Sequence, residues 1–165
     1  MKTNEGSMSA NHTRQVPKTH LRINTAAILV AICLLFSFSQ EKTILDIEIS
    51  NIRNHKGVIL LSVYTAPGQY PYYPARTYEV KKDSLVNGKV HAAINDLSPG
   101  QYGLCLLDDE NRSGQMENNM LGIPLEGFGF ANNVKPFLKR PDYERVLFKI
   151  TPGVNRMQLI VRYKN

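Results

Sequence analysis

The residues best equipped for chemistry lie between Asp108 and Asn133, in the segment DDENRSGQMENNMLGIPLEGFGFANN. Asp108, Asp109, Glu110, Asn111, Ser113, Glu117, Asn118 and Asn119 surround a single glycine, Gly114. Dense oxygen donors around a turn suit a hard cation, calcium first, because calcium accepts many oxygen ligands in a flexible geometry. On the twelve-position calcium-loop pattern begun at Asp109, positions one, three and five fall on Asp109, Asn111 and Ser113. Gly114 takes position six, where the chain turns sharply, and Gln115 offers its backbone carbonyl at seven. Glu117 stands at position nine. Met120 occupies position twelve, where a bidentate acid belongs, so the shell needs Glu126 or a loop carbonyl to close it. The same residues also suit a metal-free loop in which Asn and Asp side chains bond to nearby backbone. Both readings stand at this level.

Catalysis lacks most of its parts. With the first 39 residues set aside, two histidines remain, His55 in a turn and His91 on an outward strand face. Neither accompanies a nucleophile motif, and there is no HExxH, paired CxxC, phosphate loop or dinucleotide fingerprint. Asp108, Asp109, Glu110 and Glu117 are the acids a glycan hydrolase would draw on. Cys105 lies between Leu104 and Leu106 on an apolar strand, which suits an inert buried thiol. Tyr70, Tyr72, Tyr73 and Tyr78 form an aromatic cluster around a proline-rich loop. Of these, Tyr70, Tyr72 and Tyr73 are candidate ligand contacts for sugar or protein, since tyrosine combines an apolar ring with a polar tip.

The elements that position these residues have period two. Leu45, Ile47 and Ile49 alternate with Asp46, Glu48 and Ser50, as a half-buried strand requires. A turn at Asn54–Gly57 leads to a second strand, Val58 to Thr65, and the two read as a hairpin. Tyr78–Lys82 and Lys89–Leu97 read as a pair joined through Val86-Asn87-Gly88. Gln101–Asp108 delivers the acidic loop, and strands around Val146–Ile150 and Met157–Tyr163 come after it. Short strands with Pro/Gly turns predict an all-β, seven-stranded antiparallel sandwich, prealbumin-like or immunoglobulin-like. One long loop falls between the fifth and sixth strands. Loops of that length in a compact domain are usually functional or disordered.

Three segments together resemble a known family. They are Leu97-x-Pro99-Gly100-x-Tyr102, Asp109-Glu110-Asn111-x-x-Gly114, and the run from Leu121-Gly122-Ile123-Pro124 through Glu126-Gly127-Phe128-Gly129-Phe130 to Asn132-Asn133. The first is also similar to a turn of prealbumin-like and adhesin B-type sandwiches, where the tyrosine hydroxyl bonds back to the turn. Taken together they resemble the bacterial domain of unknown function family 2141, over about Thr43 to Lys164. Ala131 stands where the family usually has serine, and Arg112-Ser113 where it has small Gly-Asn pairs. The resemblance implies an exported β-sandwich without an established activity. Phe128 and Phe130, two apart, are placed to anchor the loop on the sandwich edge.

The first 39 residues read as a signal peptide. Lys18 and Arg22 precede the thirteen-residue apolar run Ala26–Phe38, and Ser37-Phe38-Ser39 is a small-x-small cleavage pattern. The run is shorter than the roughly 18 residues a membrane span needs. Cleavage after Ser39 leaves one domain, residues 40–165, with no stable membrane span. It also leaves sixteen basic and thirteen acidic residues, a weak excess that gives no support for nucleic-acid binding. Cys105 is then the one remaining cysteine, so no internal disulfide can form. These readings predict a secreted or periplasmic, non-catalytic binding or structural module of the envelope. Its partner would be an envelope protein or glycan, and calcium its candidate ion. The competing readings are an envelope glycan hydrolase and a carbohydrate-binding module.

Overall fold

The computed structural model describes residues 41–137 and 139–164, so the signal segment and its cleavage site lie outside the described residues. Eight strands appear among them: β1 (Ile44–Ser50), β2 (Val58–Tyr64), β3 (Arg76–Lys81), β4 (Val90–Ile94), β5 (Gly100–Asp109), β6 (Gly127–Phe130), β7 (Leu147–Ile150) and β8 (Val154–Ile160). They form two sheets, one of order β4-β1-β8 and one of order β3-β2-β5-β6, with β7 also paired to β5. The ten-residue β5 is the axis of the larger sheet. Along one edge its first half, Gly100–Gly103, pairs with β7, and its second half, Cys105–Asp108, pairs with β6.

Alternation places the core as the sequence predicts. Leu45, Ile47 and Ile49 of β1 are fully buried against Ile59, Leu61 and Val63 of β2 and Leu104 and Leu106 of β5. Burial of such side chains is the main favourable term, roughly 1.5–3 kcal/mol each before the entropy of ordering is counted. Tyr102 closes the turn before β5, its hydroxyl donating to Ser98 O at 2.9 Å.

Three expectations are corrected. The sandwich has eight strands, because the short Gly127–Phe130 run is a strand and divides the long connection. Two of its four residues are glycines, which weaken a strand pattern and hid it. The pairing is not wholly antiparallel: β8 runs parallel to β1, from Ile44 opposite Val154 to Ser50 opposite Ile160. β7 and β8 are separated by a tight Thr151–Gly153 turn yet lie in different sheets. Asn155 makes that possible: its side chain accepts from Thr151 N at 3.0 Å and donates to Thr151 O at 2.8 Å, replacing hairpin bonds. Finally, neither expected pair forms. β1 pairs with β4, and β2 with β3 and β5. Periodicity fixes which face a residue occupies but not which strand lies beside it.

A second apolar cluster covers the outer face of the larger sheet. Phe128 and Phe130 of β6, 5.9 Å apart, pack there with Tyr64, Tyr143 and Val146. This matches the anchoring role expected of the two phenylalanines. The two asparagines beyond β6 then stitch the sheets. Asn132 and Asn133 both have positive φ, 58° and 51°. Asn132 Nδ2 donates to Leu147 O at 2.8 Å, whereas Asn133 Nδ2 donates to Gln158 O at 2.9 Å and its Oδ1 accepts from Ile160 N at 2.8 Å. Asn133 thus satisfies the edge of β8 as a neighbouring strand would. Asn133→Ala should lower unfolding free energy by about 1–3 kcal/mol, because two backbone groups lose their partners. Urea denaturation measures this, and a change below about 0.5 kcal/mol would show that water serves the β8 edge equally well.

Candidate functional site

The acidic loop is rooted at one end of the sandwich, and its root is set by β5. Leu104 and Leu106 point into the core, and the same alternation carries Asp108 inward, where it is 0% exposed. An isolated carboxylate there would be strongly disfavoured, so it must be paired. Lys82, just past the end of β3 and 3% exposed, makes the ion pair through Nζ to Asp108 Oδ1. Lys82 Nζ also donates to Lys56 O at 2.5 Å. On the other oxygen, Asp108 Oδ2 accepts from the Tyr163 hydroxyl at 2.5 Å. Burial first, then this bond to Asp108, raises the Tyr163 phenol well above its usual range.

From Tyr163 the network runs to the surface. The hydroxyl accepts from Arg53 N at 3.1 Å, and the Arg53 guanidinium lies 4.4 Å over the Tyr163 ring centroid. Arg53 Nε donates to Glu110 Oε1 at 2.6 Å and Nη2 donates to Leu125 O at 3.3 Å. That bond to Arg53 is the main reason the Glu110 carboxyl is held below its usual range. Lys82 from the β3–β4 connection and Tyr163 from the segment after β8 thus meet on the Asp108 carboxylate, and Arg53 and Glu110 extend the network outward from Tyr163.

The loop itself folds about Asp109, which is 2% exposed. Its Oδ1 accepts from Ser113 N at 2.9 Å and its Oδ2 from Gly114 N at 2.8 Å. Asn111 Oδ1 also accepts from Ser113 N at 2.9 Å, and Ser113 Oγ donates to Gln115 O at 3.0 Å. Gly114 has φ +75°, as the sharp turn at this position requires. Another glycine fixes the loop's base. A Cβ at Gly57 would sit 1.8 Å from Asp109 O, so the β1–β2 turn and the loop root touch backbone to backbone.

Of the residues the sequence singled out, Asp109, Asn111, Ser113 and Gln115 share this small turn. Glu117 is exposed on its far arm, and Met120 is fully exposed, pointing away from any closing role. Among the described residues, no group of three or more His, Cys, Asp or Glu side chains could hold a metal ion. Glu126 is the residue whose role the spacing did not define. It is 5% exposed, its Oε1 accepts from Glu110 N at 3.1 Å, and its Oε2 is buried without a partner. Burial chiefly, with the charges of Asp109 and Glu117 adding to it, raises this carboxyl above its usual range.

The candidate hydrolase acids occupy different settings. Asp108 is sealed against Lys82, Glu110 is paired with Arg53, and Glu117 is exposed. Two grooves along β8, of about 360 and 630 Å³, are lined by no Asp or Glu. Cys105 faces the second apolar cluster beside Phe130, and burial pushes its thiol up to about 12, where little thiolate exists at neutral pH. The tyrosines divide. Tyr70 packs inward 5.3 Å from Tyr64, its hydroxyl donating to Pro141 O at 2.9 Å. Tyr72 and Tyr73 stay 70% and 74% exposed, with Arg140 4.9 Å over the Tyr72 ring.

The profile of DUF2141, described as an uncharacterized protein conserved in bacteria, matches residues 47–158. The chain belongs to that family. No curated protein and no solved structure matches it.

The pH dependence of this end of the fold has a definite sign. The folded Glu110 carboxyl is depressed below its unfolded value of about 4.3, so its contribution is present above that value and lost as pH falls through the folded one. Melting temperatures should therefore fall on acidification below about pH 5, and Glu110→Gln should flatten that fall. Parallel acid limbs for parent and variant would show that the Arg53 bond adds nothing to folding.

Proposed function

We propose that this DUF2141 domain is exported and serves as a non-catalytic binding or structural module of the cell envelope, its long loop ordered by calcium or by its own hydrogen bonds. The supporting observation is what the loop's acids do. Asp108 is committed to Lys82 and Tyr163, Glu110 to Arg53, and Asp109 to two backbone amides. An acid catalyst needs a carboxyl free to exchange a proton with substrate, and these three hold the protein together instead. Export is supported by Lys18 and Arg22 ahead of the thirteen-residue apolar run and by the Ser37-Phe38-Ser39 pattern.

A partner is supported at a different place. Tyr72 and Tyr73 hold exposed rings on a loop whose base is fixed by Tyr70, and Arg140 braces Tyr72 with a hydrogen bond of 2.8 Å to its hydroxyl. Exposed tyrosines, of which Tyr72 is held by Arg140, favour a glycan or protein surface, since they offer contact area at small entropic cost. Protein recovered from the periplasm or medium should begin near Gln40. N-terminal sequencing that finds residues 1–39 retained, or the protein confined to the cytoplasm, would contradict the reading.

A further inference from the structure

β8 is an edge strand, and only part of its free side is covered. Its parallel pairing with β1 begins with Ile44 N donating to Gly153 O at 3.0 Å and ends with Val161 N donating to Ser50 O at 2.9 Å. That register turns the odd-numbered backbone groups of β8 toward β1 and the even-numbered ones away from it. On the free side Arg162 exchanges two backbone bonds with Phe128, and Asn133 takes Gln158 O and Ile160 N. Toward the start of the strand this cover ends. Gln158 N, Arg156 N, Arg156 O and Val154 O have no protein partner among the described residues. They form a row of donors and acceptors at strand spacing, which an extended peptide completes.

The groove of about 630 Å³ runs beside this open stretch, with lining residues from both β7 and β8. Leu45, Phe148 and Met157 give it an apolar floor, the last two half-buried against the core. Its charged lining is Lys149 and Arg156, both exposed, and no Asp or Glu lines it. The acid Glu41 lies beside Gly153, ahead of the open stretch. We propose that β8 receives an extended acidic segment of another protein, added as a strand along Val154–Gln158. Alternate side chains of such a segment point opposite ways. One set enters the groove against Phe148 and Met157 and is apolar, whereas the other stays outside beside Arg156 and is acidic. Charge disfavours a second copy of this chain as the occupant. Antiparallel pairing of two β8 strands about the open stretch sets Arg156 against its own counterpart, and like charges directly opposite are unfavourable. No residue of the tyrosine loop lines the groove, so the site is separate from the partner surface described above and independent of export.

The test is amide hydrogen exchange read by NMR on residues 40–165, which form a compact unit. The probe is a capped peptide of about seven residues alternating Val and Glu, used at about 1 mM. Half occupancy should slow exchange at the Arg156 and Gln158 amides about twofold, and leave those of Asn155 and Met157, which face β1, unchanged. Arg156→Glu, at an exposed position, should weaken this peptide about tenfold and favour one alternating Val and Lys instead. Unchanged exchange at both edge amides, or equal binding of the two peptides by the parent, overturns the proposal. Protection that appears without peptide and grows with protein concentration assigns the edge to a second copy and overturns it too. So does an oligogalacturonate that binds more tightly than the peptide yet leaves both amides exchanging freely, since the groove then takes an acidic glycan.

Discussion

A carboxylate placed inside a sandwich by strand periodicity is the constraint on which this end of the molecule depends. β5 continues its inward face from Leu104 and Leu106 to Asp108, and from there the surroundings are determined. A buried charge must be matched by an opposite charge and its remaining lone pairs by donors. Lys82 and Tyr163 meet those demands from opposite sides, one from the larger sheet and one from beyond β8 of the smaller. Substituting an apolar pair could be just as stable in principle. What the ionic arrangement adds is a defined geometry, because it fixes where Lys56, Arg53 and Glu110 must lie. The acidic loop starts from this rigid base.

The rest of the sandwich solves a second problem, the exposed edges left when strands change sheets. β8 reaches the smaller sheet directly after β7 and would present unpaired backbone on its free side. Asn133 occupies part of that edge with a side-chain amide, Asn132 does the same at Leu147, and Asn155 binds the intervening turn. Open edges invite pairing with other chains, and short side-chain caps are one way to blunt them. The family motif ending in Asn132-Asn133 thus reads as architecture. Phe128 and Phe130 fasten β6 to the outer cluster, and the two asparagines lock the chain to β7 and β8 as it leaves that strand.

Much of this was legible in the sequence, and the omissions have physical causes. Alternation located β1, β4, β5 and the inward faces of the last strands because a half-buried sheet writes period two into its residues. The tyrosine turn at Ser98–Tyr102 was legible because its turn chemistry is local. Strand neighbours were not, since pairing depends on which sheet each connection enters. β6 escaped because four residues with two glycines carry too little pattern. The Asp109 turn was legible from its donors and glycine. Lys82 as partner of Asp108, and Glu126 as a buried acid, were not: each meets the loop through contacts formed only on folding, although an acid in register with Leu104 and Leu106 was the available signal for the first.

The ion pair at Asp108 is tested most directly by a double-mutant cycle on Lys82→Met and Asp108→Leu, read by urea denaturation of the mature domain. Each single change leaves one charge buried and unmatched and should cost about 3–5 kcal/mol. The double variant removes both charges and should lie within about 2 kcal/mol of the parent, far from the sum of the two. Additive losses, or single variants that unfold within about 1 kcal/mol of the parent, would contradict the claim that this pair fixes the end of the sandwich.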